Sequence, residues 1–371
     1  MSKILYLFLV STVLCFSTRP TMGCHNYPRA RCLKPEKRCE KESVRLDVGK
    51  VIIDTDAGPD DAAAIFMALN GQIYNSELKV IAITCVNGNT IVDNVVVNVL
   101  KTLKTANRLD IPVYRGASKS LILTPPQDYY FGEDGFGDFE FPDPPDPEEL
   151  LQEQHAAIAL IETATRYPGE VTLLCLGPLT NLALAIRLDP SFLTKLKQLV
   201  VMGGSVEGVG NIRSGIEFNF FVDPEAAFIV FNSTDTTDGD IQPIILVPLE
   251  TTSERNILTK EWRKNVLGIL SSPEVQLLNK AEQQQLEEDT LYWECADCLA
   301  AAAIVDPSII KESATFRAHI AEDGAISRGA VFVDYKGREE STSNVVIVRS
   351  IDVDHYMKIL LSTIGGAPAS L

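Results

Sequence analysis

Residues 51–65, Val-Ile-Ile-Asp-Thr-Asp-Ala-Gly-Pro-Asp-Asp-Ala-Ala-Ala-Ile, leave few folds open. Val51, Ile52 and Ile53 form a short apolar run of the kind a parallel sheet buries on both faces. Side chains alternate across an extended backbone, so Asp54 and Asp56 can face one cleft. Gly58 is expected to permit the turn, and Pro59 suits a first helical position. Asp60 and Asp61 then fall in the first helical turn, where the positive end of the helix dipole tolerates them. Four carboxylates within eight residues repel one another. Helix capping accounts for one or two of them; a bound cation accounts for all four. Oxygen ligands suit a hard cation, and a flexible, carboxylate-rich site suits Ca²⁺.

The same rhythm continues downstream. Residues 78–85 (LKVIAITC) read as a second buried strand, 86–90 (VNGNT) as an amide-rich turn, 91–106 as a helix and 111–114 as a short strand. Strand and helix in alternation imply an α/β fold: an open, doubly wound, mostly parallel sheet flanked by helices. At 371 residues and 46% hydrophobic content the chain can bury a large core. There is no internal repeat and no linker between cores, so residues 50–371 are expected to form a single domain. The net charge of -17 argues against nucleic acid as a general partner, though not against a small uncharged building block of one.

Residues 119–149 break the rhythm with prolines, glycines, acids and the aromatics Tyr129, Tyr130, Phe131, Phe136, Phe139 and Phe141. A loop of this length inside a domain is either a flap over a cleft or a surface loop with aromatic anchors. Beyond it, 150–167 reads as one amphipathic helix, 171–176 and 198–202 as buried strands, and 177–181 (GPLTN) as a turn into a helix. Gly203-Gly204 after a strand permits close backbone approach. Asp223-Pro-Glu225 reads as a structural helix start. Residues 241–247 read as a strand, the surroundings of Trp262 and 275–292 as helices, and 296–304 as a buried helix with Asp297 at its beginning. Short strands over 315–350 and a last helix over 353–363 complete the pattern.

The first 23 residues resemble a secretory signal peptide: Lys3 precedes an apolar run over 4–16, and small residues follow at Ser17 and Gly23. Secretion is therefore expected, with no membrane association once the leader is removed. Residues 24–49 form a basic extension carrying Cys24, Cys32 and Cys39, of which two can pair in an oxidising compartment. Cys85 and Cys175 sit in apolar runs, as small buried hydrophobes do. Cys295 and Cys298 have the spacing of a metal or redox pair, but no second pair completes a zinc site. Asn232-Ser-Thr is a glycosylation acceptor motif.

Five motifs in order are similar to those of the inosine-uridine-preferring nucleoside hydrolase family. They are residues 54–61 (DTDAGPDD), 87–89 (NGN), 176–181 (LGPLTN), 201–204 (VMGG), and 217–219 (EFN) followed by 223–227 (DPEAA). The resemblance covers most of 50–361 and implies hydrolysis of ribonucleosides to ribose and free base by a water bound to one Ca²⁺ per subunit. It implies that Asp56, Asp61 and Asp297, with the Leu176 carbonyl, hold the ion, and that Asp56 is also the general base. It places Asp60 and Asn219 on the ribose 2′- and 3′-hydroxyls, with Asn89 beside them. Asn211 and Glu217 would grip the 5′-hydroxyl, with Met202 against the sugar and Asp54 behind the ligands. Family members commonly form dimers or tetramers, so a homodimer or homotetramer is expected.

One departure stands out. Where some members carry a histidine before the last aspartate, this chain has Ala296; where some carry one in the flap, it has Phe131. In another branch of the family, aromatic rings are thought to stack purines while solvent delivers the proton. Phe131, Tyr130 and Trp293 would serve here, implying a purine preference; core packing is the other reading of Trp293. Two further functions fit parts of the sequence. A haloacid-dehalogenase-like phosphatase also opens on Asp-x-Asp after a strand, using the first aspartate as nucleophile with Mg²⁺. A secreted nucleoside-binding protein would need no catalysis.

Overall fold

The computed structural model describes residues 46–234, 241–253, 258–339 and 341–366. The leader, most of the extension and Cys24, Cys32 and Cys39 lie outside the described residues. The strands are β1 (Lys50–Thr55), β2 (Lys79–Cys85), β3 (Val113–Arg115), β4 (Leu151–Gln152), β5 (Val171–Cys175), β6 (Leu196–Met202) and β7 (Ile244–Val247). After them come β8 (Leu258–Thr259), β9 (Tyr292–Trp293), β10 (Ile310–Phe316), β11 (Ala318–Ile320), β12 (Val331–Val333) and β13 (Val345–Ile351). Nine of them form one sheet in the order β10-β13-β7-β6-β5-β1-β2-β3-β4. All its pairings are parallel except β10 with β13. This is the doubly wound sheet the sequence implies.

Both faces of the central strands are covered, which is why they read as unbroken apolar runs. Val51 and Ile53 of β1 enter one core, shared with helices Pro59–Asn70, Val92–Thr105, Ala296–Val305 and Val353–Thr363. Ile52, between them, enters the opposite core, shared with Ala156–Arg166, Thr180–Leu188 and Pro224–Ser233. The alanines at 62–64 and 300–303 are all buried in the first core. Small side chains there let helices Pro59–Asn70 and Ala296–Val305 pack closely on each other.

Strand order reverses between β1 and β5: β2, β3 and β4 extend to one side, β6, β7 and β13 to the other. In such sheets the crevice for a ligand opens at the carboxyl ends of the strands flanking the reversal. Asp56, just past β1, and Leu176, just past β5, stand at that place.

Three expectations change. The helix read over 150–167 begins only at Ala156, because the His155 ring nitrogen caps it by accepting from Ala157 N (3.1 Å). Leu151 and Gln152 instead add the edge strand β4. The helix read over 275–292 is broken at Glu282 into Pro273–Ala281 and Gln283–Glu287, and Tyr292 and Trp293 pair with β8. In the β1 turn the left-handed residue is Ala57 (φ 45°), not Gly58, which is extended (φ -72°, ψ 179°). Gly58 is needed for space: a Cβ there would lie 2.8 Å from Asn89 Nδ2 and 3.0 Å from the Phe131 ring.

Candidate active site

The turn after β1 and the start of helix Ala296–Val305 bring together carboxylates more than two hundred residues apart in sequence. Oxygens of Asp60, Asp61 and Asp297 lie within 4.8 Å of one another. Asp61 also caps its own helix: Gly58 N donates to Oδ2 (2.8 Å) and the Thr55 hydroxyl donates to Oδ1. The capping reading and the cluster reading thus hold for the same residue. Asp56 is not one of that trio; it stands beside it, its Oδ2 accepting from Asn89 N (2.7 Å).

Burial dominates the electrostatics. It pushes Asp60 up to about 8, with the Asp61 charge adding to the effect. It drives Asp56 and Asp297 well above the ordinary carboxylate range, again reinforced by Asp61. Asp61 is raised by burial as well, opposed by the Thr55 hydroxyl and the Gly58 N–H. Like charges this close cannot all ionise without a counter-charge. Asp60 Oδ1 is buried and without a hydrogen-bond partner. The donors here are all hard oxygens, and Leu176 lines the same cavity. The set fits a hard divalent cation.

The cluster is at the floor of a cavity of about 490 Å³, within the range of small-molecule sites. Asp56, Asp60, Asn89, Phe131, Leu176, Met202, Asn211, Glu217, Asn219, Trp293 and Asp297 all line it, while Asp61 is enclosed beneath. Glu217, Asn219 and Asn211 on the cavity wall are held firmly. Glu217 accepts from Asn219 N (2.8 Å), Phe220 N (3.2 Å) and Gly204 N (2.7 Å), capping helix Phe218–Val222. Burial, opposed by these donors, brings it to about 7. Asn219 Nδ2 donates to the Leu176 carbonyl (2.7 Å), and Asn211 Oδ1 accepts from Phe218 N (2.9 Å).

Asp54 is fully enclosed and does not line the cavity. Its Oδ1 accepts from the Thr84 hydroxyl and from Asn181 Nδ2 (2.8 Å), tying β1 to β2 and to helix Thr180–Leu188. Burial lifts it to about 7. A nucleophile for phosphorus must reach its substrate, so this geometry removes the phosphatase reading. Asp223 is structural as read: its Oδ1 caps helix Pro224–Ser233 through Ala226 N (3.1 Å).

The 119–149 loop does both of the things considered for it. Asp128, Tyr130 and Phe131 line the cavity, whereas Phe136 is wholly buried and packs with Phe139. His155, His319 and His355 are all away from the cavity. Cys85 and Cys175 are buried free thiols, as expected. Cys295 and Cys298 form a disulfide, with Asp297 between them, which settles that pair as a bridge rather than a metal site. The lining residues that were not foreseen include five long polar side chains on one stretch of wall: Lys260, Glu282, Gln285, Glu288 and Glu294. Lys260 Nζ donates to the Gln285 and Glu288 carbonyls. Most of the five lie in or next to the polar run 282–288, whose periodicity is broken at Glu282, so no helical pattern pointed to them.

The profile of the family described as inosine-uridine preferring nucleoside hydrolase matches residues 51–358. The chain is 42% identical over 186 residues to uridine nucleosidase 1 of Arabidopsis thaliana, covering 50% of this chain and only 53% of that relative. Thus it spans about half the length of some curated relatives it matches. It is 31% identical over 322 residues to the non-specific ribonucleoside hydrolase RihC of Salmonella newport (strain SL254), covering 86% of this chain and 98% of that one. Among solved structures it resembles an inosine-guanosine nucleoside hydrolase, with TM-score 0.77 and 31% identity, over 85% of this chain and 98% of the other. A plant nucleoside hydrolase, the PpNRh1 enzyme, gives TM-score 0.76 at 31% identity, over 86% and 100%. With a family profile across the sheet and relatives aligned over nearly their whole length, this chain belongs to the inosine-uridine preferring nucleoside hydrolase family.

Proposed function

We propose that the protein hydrolyses the N-glycosidic bond of ribonucleosides, purine nucleosides by preference, to ribose and free base. The observation that carries this reading is the Asp60/Asp61/Asp297 cluster beside a nucleoside-sized cavity lined with side-chain amides and carboxylates. A Ca²⁺ held by Asp56, Asp61, Asp297 and the Leu176 carbonyl would orient the hydrolytic water and the ribose hydroxyls and make that water more acidic.

The chain's own groups supply the rest. Asp56, fixed by Asn89 N–H, takes the water's proton as general base. Asp60 and Asn219 hold the 2′- and 3′-hydroxyls, with Asn89 beside them. Asn211 offers its free amide N–H groups to the 5′-hydroxyl, opposite Glu217. Departure of the base leaves a cationic ribosyl ring, which the surrounding carboxylates stabilise as its charge develops. Groups that bond each hydroxyl strongly reject a sugar lacking one.

Support for the purine preference comes from Tyr130, Phe131 and Trp293 on the cavity wall, and from the inosine-guanosine name of one structural relative. The curated uridine nucleosidases among the relatives name the competing substrate. Base protonation falls to solvent. The leader supports secretion, Asn232 is exposed at the end of its helix as a glycan acceptor must be, and a homodimer or homotetramer remains the proposed assembly.

The decisive experiment is ribose release from inosine, adenosine, guanosine, uridine and cytidine, with and without chelator. Inosine and guanosine are expected to lead, and chelator to abolish turnover. Uridine in first place would remove the purine preference. Nucleoside binding without any reducing sugar would remove the hydrolase in favour of a binding protein.

A further inference from the structure

At the unforeseen part of the cavity wall lies an ion pair separate from the Asp60/Asp61/Asp297 cluster. Arg263 is completely buried (0% exposed), and its Nε donates to Glu282 Oε2 at 2.8 Å. The other Glu282 oxygen, Oε1, accepts from the Trp293 indole N–H at 3.2 Å. Arg263 Nη1 donates to Asn279 Oδ1 (2.8 Å), and Asn279 Nδ2 donates to the Gly268 carbonyl (2.8 Å). Three restraints therefore meet on one indole. Glu282 holds its N–H edge, the Arg263 guanidinium packs 5.5 Å from its ring centroid, and Trp262 lies 6.3 Å away, tilted 31°.

Chemically this is an expensive way to fill a core. A buried ion pair is seldom more stable than apolar side chains of the same volume, so its presence calls for a geometric use. Arg263 also opens a π-helical turn, Arg263–Leu267, a backbone form that is rare and concentrated at functional sites. Glu282 and Trp293 both line the cavity, while Arg263 supports them from behind. Trp293 is only 5% exposed, so what little it shows faces a nucleoside-sized space rather than bulk solvent.

We propose that the Arg263–Glu282 pair is a positioning device for the nucleobase: it fixes the plane of Trp293 so that the indole forms a rigid aromatic wall against the departing base. This inference rests on the ribonucleoside hydrolase reading and deepens it. Glu282 and Arg263 act through Trp293 and not on the ribose. A rigid aromatic wall loses little entropy when a planar base packs on it, and aromatic contacts of this kind depend on ring orientation.

The test compares inosine with 4-nitrophenyl β-D-ribofuranoside, whose leaving group departs without a nucleobase to hold. In R263M/E282L the charge pair is replaced by apolar side chains of similar size, leaving no buried charge alone. The ratio of kcat/KM for inosine to kcat/KM for the aryl riboside is expected to fall about tenfold or more, mostly through KM for inosine. R263M/E282Q restores an acceptor for the indole N–H and is expected to recover most of that ratio. Should the double variants fail to fold, W293F keeps an aromatic ring but loses the N–H held by Glu282, and is expected to lower the same ratio several-fold. An unchanged ratio, or equal losses on both substrates without recovery by R263M/E282Q, overturns the positioning role. Failure of the wild-type protein to release ribose from either substrate overturns the hydrolase reading instead, so the two failures are told apart.

Discussion

Gly88 illustrates how little room the Asp56 carboxylate, the proposed general base, has. A Cβ on Gly88 would lie 2.0 Å from Asp56 Oδ2 and 2.6 Å from its Cγ, and Asp56 is a short side chain that cannot fold out of the way. Gly177 restricts the other side, where a Cβ would lie 2.8 Å from Asp56 Oδ1. Gly88→Ala is therefore expected to lower kcat/KM for inosine by about a hundredfold by moving the general base, as small misplacements do. Its melting temperature should fall as well, since the new methyl overlaps the buried Asp56 side chain. Asp56→Ala should cost about a thousandfold or more in kcat. Near-normal turnover of Asp56→Ala would count against its role as base; an intact Gly88→Ala enzyme would show that Asp56 moves freely. Ala57, at φ 45°, is the strained residue of this turn, held by Thr55 Oγ1 accepting from its N–H (3.1 Å).

At the scale of elements, the loop is anchored in the core at one end and lines the cavity at the other. Phe136 and Asn98 anchor it, Asn98 Nδ2 donating to the Asp134 carbonyl (2.9 Å), and Lys101 pairs with Asp134. The cavity-facing end, with Tyr130 and Phe131, is tied to helix Gln283–Glu287 by one bond, Gln285 Nε2 donating to the Tyr130 carbonyl at 2.5 Å. Gln285→Ala should loosen that end alone. Hydrogen exchange at residues 129–132 is expected to quicken while residues 134–138 keep their protection, with KM for inosine rising several-fold. Uniform exchange across the whole loop would mean that it opens as one unit. The helix break at Glu282 belongs to the same design, because it points that carboxylate at Arg263 and Trp293.

For the molecule as a whole, the buried acids link stability, pH and cation binding. Burial raises Asp54 from 3.8 to about 7, Asp60 from 3.8 to about 8 and Glu217 from 4.5 to about 7. A carboxyl whose folded value lies above its unfolded value binds its proton more tightly when folded. Its contribution to stability is complete below about pH 4 and is lost as pH rises through about 7 to 8. In chelator, the melting temperature is thus expected to fall between pH 5 and pH 8.5. On the proposed function, Ca²⁺ would displace the protons of the cluster, so its affinity should rise over the same range and the fall in melting temperature should diminish. A flat profile in chelator, measured by calorimetry, would show that these carboxylates are ionised in the cation-free fold.

The stretch over 51–65 determined much by itself. Three apolar residues followed by alternate aspartates require a strand buried on both faces and ending at a cleft, and the repeated strand–helix rhythm requires the parallel sheet around it. The motif glycines, amides and acids were visible because each serves a local backbone need as well as a site. What the linear order left open depends on long-range packing. Apart from the family resemblance, nothing along the chain placed Asp297 against Asp61, and only the fold encloses Asp54 away from the cavity, joins Cys295 to Cys298 and breaks a helical run at Glu282. The physical reason is that a side chain's partner across the core is set by how helices stack on the sheet, and neither periodicity nor propensity along the chain carries that information.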